Sequence, residues 1–269
     1  MSKFGFITNK YTVSALILGC LLLTDIILHR GISRVIIPTT FSDKIIPVNL
    51  PLCNNSLLKK DKHWINAVNN ISLLEKLPVN TAGIECDLVF NTLKNHFEVC
   101  TDVGISSCLD ADSLLAAYTR KKLQANIWFA LNNLDQENTD PAIKEITRLK
   151  NKYKLAGQIV IESSAANFLK AFCDSGYFTS YAVPAFNPYK SSEAAIIHFA
   201  DSVRNILTKF PASAVSGNYF QYPILKKFFP NYPILTRADN VSISIVSYVF
   251  KRQLENDENI RVILYPFKD

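Results

Sequence analysis

The sequence predicts an α/β protein, a (β/α)8 barrel of the TIM type preceded by one N-terminal membrane-spanning helix. Three observations carry this reading. Eight short β-rich runs alternate with amphipathic helical stretches from residue 61 to the end, an apolar run lies near the N-terminus, and glycine is scarce. Eight strands over about 209 residues match such a barrel at the short end of its size range. A doubly wound open sheet would need fewer strands or would leave an edge.

The elements follow in order. Residues 1–10 form a short tail. Tyr11–Leu28 (YTVSALILGCLLLTDIIL) is apolar apart from small hydroxyls and Asp25, with Lys3 and Lys10 before it and His29, Arg30 and Arg34 after it. Eighteen residues make roughly 27 Å of helix, near the ~30 Å of a bilayer core. Ile17-Leu18-Gly19-Cys20 resembles a lipoprotein cleavage box, but the apolar run continues past the cysteine, which suits a span. A short N-terminus, one span and a large following domain lead us to expect that domain outside the cytoplasm. Residues 29–60 read as a linker that is extended and partly packed on the domain.

Within the barrel domain, 61–269, the strand runs are His63–Val68, Gly83–Phe90, Ala125–Asn132, Gln158–Ser163, Thr179–Pro184, Ala212–Gly217, Pro233–Arg237 and Arg261–Phe267. Helical patterns separate them: Ile71–Leu77, Ala111–Leu123, Pro141–Leu155, Ala165–Ser175, Ser192–Phe210, Tyr222–Phe229 and Ser242–Glu255. Pro141 is expected at a helix N1 position after an Asp140 cap. Asn95–Cys100, directly after the second strand, suggests a hairpin extension.

Composition excludes several functions. The eight glycines are about 3% of the chain against a usual ~7%, and neither G-x-x-x-x-G-K-[ST] nor G-x-G-x-x-G occurs. That removes P-loop NTPases and the common dinucleotide fingerprint. Of the net charge of +6, residues 1–44 carry +3, so the other 225 residues are close to neutral. With no basic stripe, nucleic acid is not an expected partner. Five cysteines besides Cys20 contain no C-x-x-C pair, which argues against zinc. Cys100 and Cys108 fit either a bridge outside the cytoplasm or free buried thiols. Asn54, Asn70 and Asn240 stand in N-x-S sequons.

In a barrel of this type the chemistry sits at the strand C-terminal ends. The residues expected there are Asn66 and Asn69, Glu85 and Asp87, Thr101 and Asp102, Asn132, Glu162, Tyr181, Ser216, Arg237 and Tyr265. Glu85 and Asp87, two apart on one strand, share a face. With Glu162 they make an oxygen-ligand set suited to Ca²⁺ or Mg²⁺. The same carboxylates also fit a structural role as a buried group neutralised by Arg or Lys. His63 is the histidine nearest a strand end of interest, and no serine has a paired histidine for a hydrolase triad.

The order HWINAVNN, GIECDLVF, FEVCTD, IWFALNNL, IVIES and YFTSYAVP, running from about His63 to Arg237, resembles the menorin-type branch of phospholipase C-like, glycerophosphodiester-phosphodiesterase-like barrels. The resemblance implies a catalytic His on the first strand, Glu and Asp metal ligands on the second, a His-Asp pair after the hairpin, and an acid and a lysine on the third strand. Here the two imidazole positions hold Asn66 and Thr101, and the third-strand positions hold Ala130 and Asn132. Asn and Thr transfer no proton near neutral pH, whereas each acid/base group contributes roughly 10²–10⁴-fold. His63, three residues before Asn66, would need a strand bulge to replace the first imidazole. The expectation is a membrane-anchored, catalytically degenerate barrel that acts as a binding or accessory protein through an acidic pocket. Its rivals are an active metal-dependent phosphodiesterase or lyase on a lipid or glycan phosphodiester, and a scaffold for an envelope protein partner.

Overall fold

A computed structural model of the chain describes residues 10–30, 49–53, 61–100, 108–188, 190–238 and 252–267. Thr101, Asp102, Asn54, Asn240 and most of the expected helix Ser242–Glu255 lie outside the described residues, and 252–256 are helical.

Helix α1 (Lys10–Arg30) covers the apolar run. Over 11–24, where its side chains are described, Tyr11, Leu16, Ile17, Leu18, Leu21 and Leu23 are all exposed. Among the described residues no helix is long and apolar enough to cross a membrane.

Eight parallel strands form the barrel: β1 (His63–Asn66), β2 (Gly83–Asn91), β5 (Asn126–Leu131), β6 (Ile159–Ser163), β7 (Phe178–Ala182), β8 (Ala214–Asn218), β9 (Ile234–Arg237) and β10 (Ile260–Pro266). They pair in chain order, and β1 closes the ring against both β10 and β2. The expected hairpin is present as β3 (His96–Val99), antiparallel to β2, with a short β4 (Leu109–Asp110) beyond it. Helices α2 (Ile71–Lys76), α3 (Ala111–Arg120), α4 (Thr139–Tyr153), α5 (Ala166–Asp174), α6 (Glu193–Lys209) and α7 (Tyr222–Phe228) fill the crossovers.

Each strand places alternate residues on opposite faces. The outward set packs with the helices in one large core that includes Ile84, Cys86, Leu88, Phe129, Ile161, Tyr181, Val215 and Ile263. The inward set is a second cluster of Trp64, Trp128, Val160, Phe178, Ala214, Leu235, Val262 and Leu264. Trp64 meets Trp128 edge to face at 6.5 Å between centroids, and its Nε1 donates to the Asp61 carbonyl at 2.9 Å. Gly83 makes room for this: a Cβ there would stand 2.1 Å from the Trp64 ring. Gly83 is thus an inward-facing residue at the start of β2. Gly176, with φ of +85°, ends α5 as expected of a glycine after a C-cap.

Helix α4 begins two residues earlier than expected, with Asn138 at the N-cap. Pro141 is still in the first turn, where backbone N–H groups lack intrahelical partners and a proline forfeits nothing. Lys122, expected on α3, instead has φ of +57° beyond the helix end.

Residues 49–53 pack against the strand N-terminal end. Asn231 and Tyr232 donate to the carbonyls of Leu50 and Pro51 at 2.7 and 2.5 Å, and the Cys53 amide donates to Ala212. Cys53 is disulfide-bonded to Cys173 of α5, across a sequence separation of 120. Cys100 and Cys108 form the second disulfide, which resolves the alternative left open for that pair. Cys86 is a free, buried thiol.

Candidate functional site

The inward residues change character toward the strand C-terminal ends. Trp64, Trp128 and Phe178 give way to Asn66, Glu85, Asp87, Glu162, Ser180, Ser216 and Arg237, because each strand continues its inward alternation past the apolar layer.

Glu85 is almost wholly buried, its side chain 2% exposed. Its Oε2 accepts from the Ala67 amide at 2.8 Å. Ala67 lies in the left-handed region, with φ of 55°. That conformation costs a residue with a Cβ of order 1 kcal/mol or more, and such strain clusters at functional sites. Here it turns the chain so that the amide reaches Glu85. Burial pushes the Glu85 carboxyl up from 4.5 to about 8, against the opposing pull of Arg237.

Asp87, one step further up β2, is gripped by amides. Asn69 Nδ2 donates to its Oδ2 at 2.8 Å, while Asn69 Oδ1 accepts from the Asp87 backbone at 2.9 Å. Asn132 Nδ2 approaches Asp87 Oδ1 at 3.4 Å. The neighbouring Asn133 bonds both the N–H and the carbonyl of Phe90, extending the β2–β5 pairing beyond the last strand residue.

Arg237, the last residue of β9, reaches across the barrel. Its Nη2 is 2.5 Å from Glu162 Oε1 and 3.5 Å from Glu85 Oε1, and its Cζ lies 5.3 Å from the centre of the Trp128 ring. The guanidinium is thus held by two carboxylates and an aromatic face. Burial raises the Glu162 carboxyl, with Arg237 the main opposing influence. The Ser216 hydroxyl and Trp128 indole N–H favour its charged form from nearby, without closing hydrogen bonds of standard geometry. Among the described residues, Glu85 Oε1, Glu162 Oε2, Ser180 Oγ and Ser216 Oγ have no hydrogen-bond partner within the chain.

The structure therefore brings Asn66, Asn69, Glu85, Asp87, Asn132, Glu162, Ser216 and Arg237 to the barrel mouth. Three expected residues go elsewhere. Tyr181 and Tyr265 occupy outward positions on β7 and β10, where they pack against the helix layer; they were placed at the mouth by strand end without regard to parity. His63 also faces outward, one residue out of phase with Trp64. Its side chain is 58% exposed, with the ring against Tyr265 and Nε2 3.5 Å from Glu255 Oε1. Sequence reasoning missed Trp128 as the platform for Arg237, and Ser180 as an inward mouth residue. The alternation that places Ala130 inward would have found Trp128.

A Ca²⁺ or Mg²⁺ ion needs several oxygens at about 2.0–2.6 Å from one point. Among the described residues, Glu85, Asp87 and Glu162 do not bring their oxygens together within 4.8 Å. The trio that does is Glu98, Cys100 and Cys108, and its two cysteines are disulfide-bonded. Between Glu85 and Glu162 the positive charge is a guanidinium, so the residues present do not fit the ion.

No family model and no curated protein matches the sequence. Among solved structures, the chain is similar to a glycerophosphodiester phosphodiesterase from Parabacteroides distasonis, at 14% identity and a TM-score of 0.52, covering 77% of this chain and 94% of that one. It is similar also to one from Agrobacterium tumefaciens, at 11% identity and a TM-score of 0.51, covering 76% and 96%. At these identities the likeness is one of fold: the chain has the TIM-barrel architecture of the glycerophosphodiester phosphodiesterases.

Proposed function

We propose that this chain is a phosphodiesterase-fold protein of the menorin-type branch that has lost its acid/base pair and acts as a binding or accessory protein. Its ligand is polar, a hydroxyl- or phosphodiester-bearing headgroup of a lipid or glycan, received among the amides and acids of the barrel mouth. One observation carries the reading. Among the described residues no histidine enters the mouth: Asn66 holds the inward position, His63 faces out, His96 lies beside Glu98 on the hairpin, and His198 is exposed on α6.

The test is hydrolysis of glycerophosphodiesters and lysophospholipids by the purified full chain. We expect no turnover above background. Turnover that Glu85→Ala abolishes would overturn the reading. One observation favours hydrolysis: burial raises the Glu85 carboxyl toward the protonated form a general acid requires. The same assay decides between the two.

We further propose that the run Tyr11–Leu28 anchors the protein in a membrane, with the barrel on the extracytoplasmic side. The exposed apolar side chains of α1 support the anchor. The two disulfides support an oxidising compartment, since cytosolic thiols are kept reduced. Thiol labelling of the native protein before and after reduction, with the labelled positions mapped, tests the second point: exposed Cys20 reacts without reductant in either case, Cys53, Cys100, Cys108 and Cys173 reacting only after reduction support it, and labelling of any of those four without reductant counts against it.

A further inference from the structure

We propose that the Arg237 guanidinium takes the place of a divalent ion in the barrel mouth, so that this pocket binds its ligand without metal. The inference rests on the reading of the mouth as the functional pocket.

Arg237 Nη2 sits within reach of one oxygen from each of two buried carboxylates, on strands β2 and β6. An ion ligated by those oxygens would have to lie about 2.0–2.6 Å from them. That is the space the guanidinium nitrogen fills, and two positive centres cannot share it. The side chain is fixed from a third direction by the Trp128 face, and its anchor at the end of β9 is paired with both β8 and β10. Asp87, the remaining acid, is turned toward Asn69 and Asn132 and takes no part in a common cluster with Glu85 and Glu162. Two features thus point the same way: the acids are divided, and the charge that unites two of them belongs to the protein.

A guanidinium differs from an ion in what it offers. It donates hydrogen bonds in a plane and carries one charge. It cannot lower the pKa of a bound water as a divalent ion does. The side chain is 27% exposed, so part of it faces the open mouth. Arg237 is then a binding and positioning residue for the ligand headgroup, and the hydrolytic chemistry a metal would bring is missing along with the imidazoles.

The experiment is titration of the full chain, purified through a chelator, with Ca²⁺ and Mg²⁺, followed by calorimetry and thermal unfolding. Wild type should show no saturable heat and no shift in its midpoint with either ion. Arg237→Met, which removes the charge while keeping much of the bulk, should gain a saturable stabilisation, because Glu85 and Glu162 then lack a counter-ion. A wild-type response that Glu85→Gln removes would overturn the proposal. So would a folded Arg237→Met variant blind to both ions. A wild-type response that Glu85→Gln leaves intact reports an ion bound elsewhere and leaves the mouth metal-free, as proposed. Should Arg237→Met fail to fold, the wild-type titration and its Glu85→Gln control still decide. Metal binding at the mouth without hydrolysis would sink this proposal and spare the degenerate reading. Hydrolysis insensitive to metal and chelator would do the reverse.

Discussion

The lower and upper halves of one barrel interior obey opposite rules. Below, Trp64, Trp128, Val160, Phe178, Ala214, Leu235, Val262 and Leu264 fill the ring with apolar side chains and one edge-to-face aromatic pair. Above, within the same strands, three carboxylates, an arginine, two inward serines and a group of amides are crowded together, and several buried oxygens have no hydrogen-bond partner among the described residues. An unpaired buried polar group costs about 1–3 kcal/mol, so the mouth is held open to polar ligands at the expense of stability that the lower half supplies. Asn126, inward at the base of β5, breaks the lower rule, for neither atom of its amide head has a partner among the described residues. We have no physical account of it.

The largest expected effect joins the two halves. Trp128 belongs to the apolar ring and also carries Arg237 on its face, so Trp128→Ala should cost about 3–5 kcal/mol in a urea titration. A loss below about 1 kcal/mol would mean the ring is looser than described. Next comes the pH dependence of the upper half. A carboxyl raised from 4.5 to about 8 binds its proton more tightly in the folded state. Its stabilisation is whole below about pH 4.5, declines as pH rises, and is lost above about 8. The unfolding free energy of wild type, read from denaturant titrations at a series of pH values, should therefore fall across this window by an amount on the order of a few kcal/mol, and Glu85→Gln should flatten the decline. Equal slopes in the two proteins would remove Glu85 as the cause.

In the lower half, Gly83→Ala forces a methyl into the Trp64 ring and should cost about 1–3 kcal/mol. The smallest expected effect concerns the exception. Asn126→Val should leave the protein as stable or raise its stability by about 1 kcal/mol. A marked loss would show that the amide is satisfied in solution and that the contrast between the halves is sharper than it looks.

Much of the architecture was legible because the barrel's strands are short apolar runs spaced by amphipathic helices, and each run fell within a residue or two of its strand. The mouth was legible in part. Strand ends located Glu85, Asp87, Glu162 and Arg237, but counting ends without parity also admitted Tyr181 and Tyr265, which one step of alternation sends to the other face. Arg237 could be seen as a mouth residue, yet its partners lie 75 and 152 positions away in sequence, and no local pattern reports such a pairing. For the same reason the Cys53–Cys173 disulfide escaped notice: spacing alone does not tell which of five cysteines meet in space. The Asn138 cap was missed because Asp140 and Pro141 offered the stronger local signal, one the helix simply absorbs into its first turn.

The Cys53–Cys173 bridge also decides how the molecule bears a mechanical load. Residues preceding Cys53 reach the barrel by two covalent routes, one along the chain into β1 and one through the disulfide into α5, which packs on β6 and β7. Tension applied at the N-terminus therefore need not peel β1 from the closed ring; it can pass sideways into the barrel wall. Reduction of this one bond would leave β1, the strand that closes the ring, as the one covalent route for a pull from the N-terminal side, backed only by the hydrogen bonds of residues 50–53.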